Sequence, residues 1–337
     1  PPPIDFRRFD VLQMPILASF WVYLFSFFGQ AHEHEEMNIL TLMYWDPDPV
    51  LFTIPYFNFP ILWYGFFFAL GFWLSALLFS KLLRETFQKL SPSEDIPFRV
   101  RTAIDRLSLY CIVATLLGAR LGHLLFYEKP SLYLSDPLLF FRFREGGLAS
   151  HGAVFALILA LILFSKRHRE QVLTPFRLLD LFSVVAPLAA SCIRIGNFIN
   201  QEILGTPTNL PWAVTFGHPA DGGLPLPRHP VQLYEALGYL GLFFLLFFLY
   251  KKPAFQEKEG RLAGLLLLLL FSLRFALEYC KQEQSALSSP LPCTIGALLS
   301  LPFIALGLYL FLTGKKNSLI PQGYGRSAKH RRVNPSN

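Results

Sequence analysis

Arg194-Ile195-Gly196-Asn197-Phe198-Ile199-Asn200-Gln201-Glu202-Ile203-Leu204-Gly205 closes a mostly apolar run that begins at Leu178. The run is long enough to approach the thickness of a bilayer, and it ends in a guanidinium, carboxamides and a carboxylate. Ionisable side chains at membrane depth are costly, and they face a bundle interior or a water-filled cavity. The stretch therefore reads as a membrane helix whose outer end carries the chemistry, with Arg194 at its centre.

Composition agrees with a membrane setting. Of 337 residues 53% are hydrophobic and only 16% are charged, against roughly 25% charged in soluble domains. The formal net charge of +7 would suit nucleic acid if it were clustered among aromatic residues. It falls instead in short loops between apolar runs, which is a topology signal, so nucleic acid is not an expected partner. Apolar runs at about 60–80, 105–127, 148–165, 178–199, 233–250, 262–280 and 294–313 predict an all-α polytopic membrane protein with seven transmembrane helices. Two of the runs contain proline, Pro187 and Pro302, which membrane helices tolerate.

The loops orient it. Residues 81–101, 166–177, 251–261 and the tail from Lys315 carry nineteen Lys and Arg, whereas the alternate loops carry five. Positive charge stays on the cytoplasmic side, so the C-terminus is expected in the cytoplasm and Tyr64, at the start of the first span, outside. The Pro- and Gly-rich loop 200–230, with Trp212 and Phe216, is expected to form a small extracytoplasmic cap at the interface. Residues 1–36 carry an apolar segment, Pro15 to Phe28, too short for an ordinary span. It reads as an anchor or as an artefact of the assigned start, before a seven-helix body at 37–314 and a basic tail at 315–337. His32 and His34 read as a solvated charged loop rather than a metal site, and no metal is expected. Cys280 and Cys293 flank a short loop and are a candidate disulfide only in an oxidising compartment.

Topology assigns each polar residue a depth. Tyr64, Arg120, His151, Arg194, Asn197, Arg274 and Glu278 all fall in the outer parts of their spans, with Glu202 and Gly205 just beyond. Bland readings stand beside the functional one. Arg274 and Glu278, at i,i+4, neutralise each other. Arg120, between glycines, packs or snorkels. Tyr64 joins an aromatic belt, and His151 sits at the interface. Arg194 with Asn197 at i+3 is harder to dismiss. Three arginines and a histidine against two carboxylates leave positive charge over, which suits an anionic head group, and arginine forks onto phosphate oxygens. A membrane hydrolase using Ser150 and His151, a lipid transporter and a scaffold remain alternatives. The transporter would want inverted repeats, and no self-similarity is visible.

The same motifs resemble the bacterial prolipoprotein diacylglyceryl transferase family. The likeness is carried by Trp63-Tyr64-Gly65, Gly118-Ala119-Arg120-Leu121-Gly122, the Glu145 to Gly152 stretch, Arg194 to Glu202 with Gly205, Pro227 to Glu235, and Arg274-Phe275 with Glu278. It covers roughly residues 50–313. The resemblance implies transfer of a diacylglyceryl group from phosphatidylglycerol to the lipobox cysteine of exported preprolipoproteins in the bacterial inner membrane, without a cofactor. It further implies that Arg194 and Arg274 hold the phosphate and that His151 is a candidate base. Tyr64, Asn197, Glu202 and Glu278 would then orient the head group or the arginines, and Arg120 and Gly205 complete the set. Departures are Leu270 for a frequent tyrosine, Lys281 for a common arginine, Ala153 for a glycine and His123 for an aromatic.

Overall fold

A computed structural model describes residues 43–56, 58–90, 92–127, 136, 140, 150–168, 173–282 and 294–316. Residues 1–36, with His32 and His34, lie outside the described residues, as does Cys293. Among the described residues seven helices have 18 residues or more: α1 (Trp63–Leu90), α2 (Ile96–Tyr127), α3 (Ser150–Arg167), α4 (Pro175–Ile199), α5 (Val231–Tyr250), α7 (Arg261–Glu278) and α8 (Ile295–Thr313). The short α6 spans Pro253–Gln256. Five helices (α1, α2, α4, α5 and α8) are long and apolar enough to cross a membrane. Helix α7 carries Arg261, Arg274 and Glu278 within its 18 residues. This is the helix set of a multi-pass membrane protein.

The fold is not purely helical. Short strands precede α1, namely β1 (Met43–Trp45), β2 (Val50–Ile54) and β3 (Phe59–Leu62); β4 (Val214–Phe216), β5 (Pro227–Arg228) and β6 (Lys258–Glu259) lie between helices, and β7 (Lys315–Lys316) follows α8. β2 and β3 form an antiparallel hairpin that runs straight into α1. β1 lies parallel to β4, which pairs antiparallel with β5. This small sheet covers a cluster of Phe198, Leu204, Val214 and Phe216 against Trp45 and Leu233. β6 pairs with β7, so the first two residues of the basic tail are held against the loop before α7.

Helices α1 and α2 extend well beyond their apolar runs. Leu82, Leu83 and Phe87 are fully buried while Lys81 and Arg84 are exposed, so α1 leaves the apolar zone as an amphipathic helix. Each such burial contributes about 1.5–3 kcal/mol where water is the alternative, and that carries the helix through its charged residues.

Helix α4 is the axis of the bundle. It packs on α1, α5 and α7 and touches α3, and 56% of its apolar window is buried, against 17% for α8. Helix α2 meets α3 where Gly118 faces Gly152; a Cβ on Gly118 would come 2.6 Å from the Gly152 carbonyl oxygen, and one on Gly152 would overlap that of Gly118. Helices driven together in lipid rely on such close backbone approach, since hydrocarbon offers no hydrophobic drive.

At the end of α4 away from Arg194, Asp180 is buried to 1% exposure. Its carboxylate accepts from Gly260 N at 2.8 Å and Ala263 N at 2.9 Å. Gly260 supplies no side-chain cap of its own, so Asp180 satisfies orphan donors of α7 from another helix. Asp180→Ala is expected to cost about 2–4 kcal/mol, as two buried donors lose their acceptor. The readout is a lower Tm in detergent, with Asp180→Asn less affected.

Candidate active site

The site builds from the end of α4. Arg194 Nη1 donates to Asn197 Oδ1 at 3.2 Å, one turn on. Asn197 Nδ2 donates to Glu202 Oε2 at 2.9 Å, and Asn200 Nδ2 donates to the other oxygen of Glu202 at 3.1 Å. A guanidinium, two carboxamides and a carboxylate thus form one chain of hydrogen bonds, and Asn197 is 4% exposed.

Glu202 reaches this position through a strained turn. Gln201 has φ 54° and Ile203 has φ 56°, the left-handed region that β-branched residues avoid. The turn is held from several sides: Glu202 N donates to Asn197 O at 2.9 Å, Ala220 N to Gln201 O at 3.1 Å and Gln282 N to Leu204 O at 3.0 Å. Gln232 Nε2 adds a bond to Glu202 O at 2.6 Å. Strain of about 1–3 kcal/mol per residue persists only where surroundings over-determine it, and it clusters at functional sites. Gly205 follows directly, where a Cβ would overlap the His229 backbone carbonyl. That contact is why the position holds glycine.

Two residues at this centre were absent from the sequence-derived set. Glu235, in the first turns of α5 and 1% exposed, lies 2.7 Å from Arg194 Nε through Oε2. Through Oε1 it lies 3.3 Å from Lys281 Nζ, whose side chain is 9% exposed. Burial pushes the Lys281 ammonium down from its usual range, with Glu235 opposing. The signal for Glu235 was an acid near the start of an apolar helix; that for Lys281 was its place where the resembling family commonly has an arginine.

Arg274 on α7 lies in the electrostatic reach of Tyr239, Glu235 and Glu278. Leu270, one turn earlier, packs against the hydrophobic core, and Tyr239 of α5 provides the phenol there instead. The Glu278 carboxylate lies against Gly296 in the first turn of α8. The Tyr64 ring rests on Gly196, 3.1 Å from where its Cβ would stand, within electrostatic reach of Glu202 and Arg194.

The structure therefore gathers Tyr64, Arg194, Asn197, Glu202, Arg274 and Glu278 at one end of the bundle, with Gly205 at its margin. Arg120 is buried and donates from Nε to the Phe140 carbonyl at 3.2 Å, which ties it to the segment between α2 and α3. His151 lies in the first turn of α3, and its side chain is outside the described residues. Beside Glu202 and Glu278, the cluster holds a further carboxylate, Glu235, and a further cation, Lys281, whose charges cancel. Part-buried cations in an apolar bundle demand counter-charges such as Glu235.

Chemically, the arrangement offers fixed N–H donors, with the Arg194 guanidinium held by the Glu235 carboxylate and the Asn197 carboxamide. Such preorganised donors suit an oxyanion that gains charge during reaction. Residues 49–313 match the prolipoprotein diacylglyceryl transferase family. Three similar proteins bear the name phosphatidylglycerol–prolipoprotein diacylglyceryl transferase. One, from Protochlamydia amoebophila, is 47% identical over 61% of this chain and 55% of its own length. That from Chlamydia caviae is 37% identical over 82% of this chain and 96% of its own. That from Chloroherpeton thalassium is 37% identical over 84% and 98%. The chain belongs to the prolipoprotein diacylglyceryl transferase family.

Proposed function

We propose that this chain transfers the diacylglyceryl group of phosphatidylglycerol to the thiol of a lipobox cysteine in an exported preprolipoprotein. In this reaction a C–S thioether bond forms and the C–O bond to the phosphate breaks. Glycerol 1-phosphate leaves with the electron pair, and the thiol proton passes to a base. Three features support the reading: family membership, the names of the relatives, and the geometry around Arg194. The observation that carries it is the part-buried Arg194, pinned by Glu235 and Asn197 with Arg274 beside the same carboxylate.

The roles follow from the chemistry. A thiol of pKa about 8.5 needs a base or a positive field to become a thiolate; His151, at the start of α3, is the proposed base. Arg194 and Arg274 hold the phosphate and steady its charge as it leaves. Tyr64, Asn197, Glu202 and Glu278 orient the head group or the arginines, Arg120 lines the approach, and Gly205 gives the turn room. The seven long helices span the bacterial inner membrane with the C-terminus in the cytoplasm. The site and the 200–230 cap lie at the extracytoplasmic face, where exported substrates arrive, and no cofactor takes part.

The test uses vesicles holding the purified chain, labelled phosphatidylglycerol and a lipobox peptide. Label is expected on the peptide's cysteine and none on a Cys→Ser peptide. Labelling of the serine peptide would sink the thioether mechanism.

A further inference from the structure

The segment ahead of the first long helix reaches into the site from outside the family match, which begins at residue 49. β1 adds to β4 with Trp45 opposite Phe216. Trp45 Nε1 donates to the Phe198 carbonyl at 3.1 Å, its ring stacks on Phe198 at 4.7 Å between centroids, and Gly217 N donates to Trp45 O at 3.0 Å. The next residue, Asp46, accepts from Gln201 Nε2 at 3.0 Å and pairs with His218 Nδ1 at 2.6 Å. Gln201 in turn accepts the His218 N–H on its Oε1 at 2.7 Å. Gln201 is 4% exposed and adopts φ 54°, so its side chain is clamped at both ends while its backbone is strained.

We propose that Asp46, backed by Trp45, is a positioning residue. It holds Gln201 in the left-handed turn that delivers Glu202 to Asn197 and, through Asn197, to Arg194. Asp46 touches no reacting group; it acts on Glu202 by fixing the neighbouring residue. Without the clamp Gln201 relaxes toward ordinary φ, because a left-handed non-glycine residue is unfavourable. Glu202 hangs on that peptide and swings away from both asparagines. Hydrogen bonds from His218 and from Gln201 hold the Asp46 carboxyl below the usual carboxylate range, in keeping with an ionised acceptor for both.

The inference rests on the transferase reading, and the test separates the two. In the full chain, Asp46→Ala is expected to raise KM for phosphatidylglycerol about tenfold, less than the roughly hundredfold that a 1 Å misplacement can cost, with kcat and Tm little changed. Asp46→Asn keeps an acceptor for Gln201 and should stay near wild type. Gln201→Leu removes the same bond from the other side, so it should match Asp46→Ala, and the double variant should lose no more than either alone. Wild-type KM in Asp46→Ala, a lower Tm with unchanged KM, equal damage from Asn and Ala, or additive losses in the double variant would each overturn the proposal. A wild-type chain that moves no lipid in the same vesicles overturns the transferase reading instead, before any variant is read.

Discussion

Arg194→Ala is expected to cut lipid transfer by about a thousandfold or more while leaving a folded protein. Loss of one preorganised donor to a developing oxyanion costs about 3–4 kcal/mol in other enzymes, and Arg194 also organises its neighbours. Asn197 loses its Nη1 donor at 3.2 Å and Glu235 loses its 2.7 Å partner. The fold survives because Glu235 retains Lys281 at 3.3 Å and Asn197 retains Glu202 at 2.9 Å. No buried charge is left alone, which is the circumstance that makes broken buried pairs so damaging. Turnover of labelled phosphatidylglycerol and a melting curve in detergent decide the matter together. Near-normal turnover removes Arg194 from the site.

Gly152→Leu is expected to fail for a different reason. The position faces the Gly118 carbonyl oxygen and sits 2.8 Å, from its would-be Cβ, to the Gly122 Cα. The obstruction is backbone, not the end of a flexible side chain, so α3 must move away from α2 to make room. Overpacking of cores costs about 1–3 kcal/mol and occasionally more. Here it also separates a contact on which α3 depends, since α2 and α3 are close packing partners while α3 touches α4 only lightly. Loss of the folded species, seen as a lower Tm and lower activity, is the expected outcome. Val154→Leu, at a half-exposed position two residues on, serves as the control and should be silent.

Much of this architecture was legible because membrane helices announce themselves by apolar length. Each expected run falls largely within one long helix, and Arg194 with Asn197 at i+3 placed the polar cluster on one helix face. The ends of α1 and α2 were not legible that way. They continue as amphipathic helices through charged residues that hydropathy alone reads as loop. β1 was invisible for another reason: a three-residue strand whose partner lies some 170 positions away leaves no local pattern. Glu235 and Lys281 escaped because each is ordinary in its own neighbourhood. One stands near a helix start, the other after a helix end, and only tertiary packing brings both to Arg194. Their charges cancel, so neither alters the count of cations against carboxylates made from the sequence.

Six charges of the Arg194 cluster also have an order along the chain. Arg194 comes first, then Glu202, Glu235, Arg274, Glu278 and Lys281. Counted from the N-terminus, the running charge of the set goes from plus one to zero, to minus one, back to zero, to minus one and finally to zero. A ribosome making this protein never releases more than one unmatched member of the set. Arg194, Glu235, Arg274 and Glu278 lie within helices, where a charge costs up to about 2.5–3.5 kcal/mol at the membrane centre on insertion scales, so this order keeps the cost from accumulating as successive helices enter the bilayer.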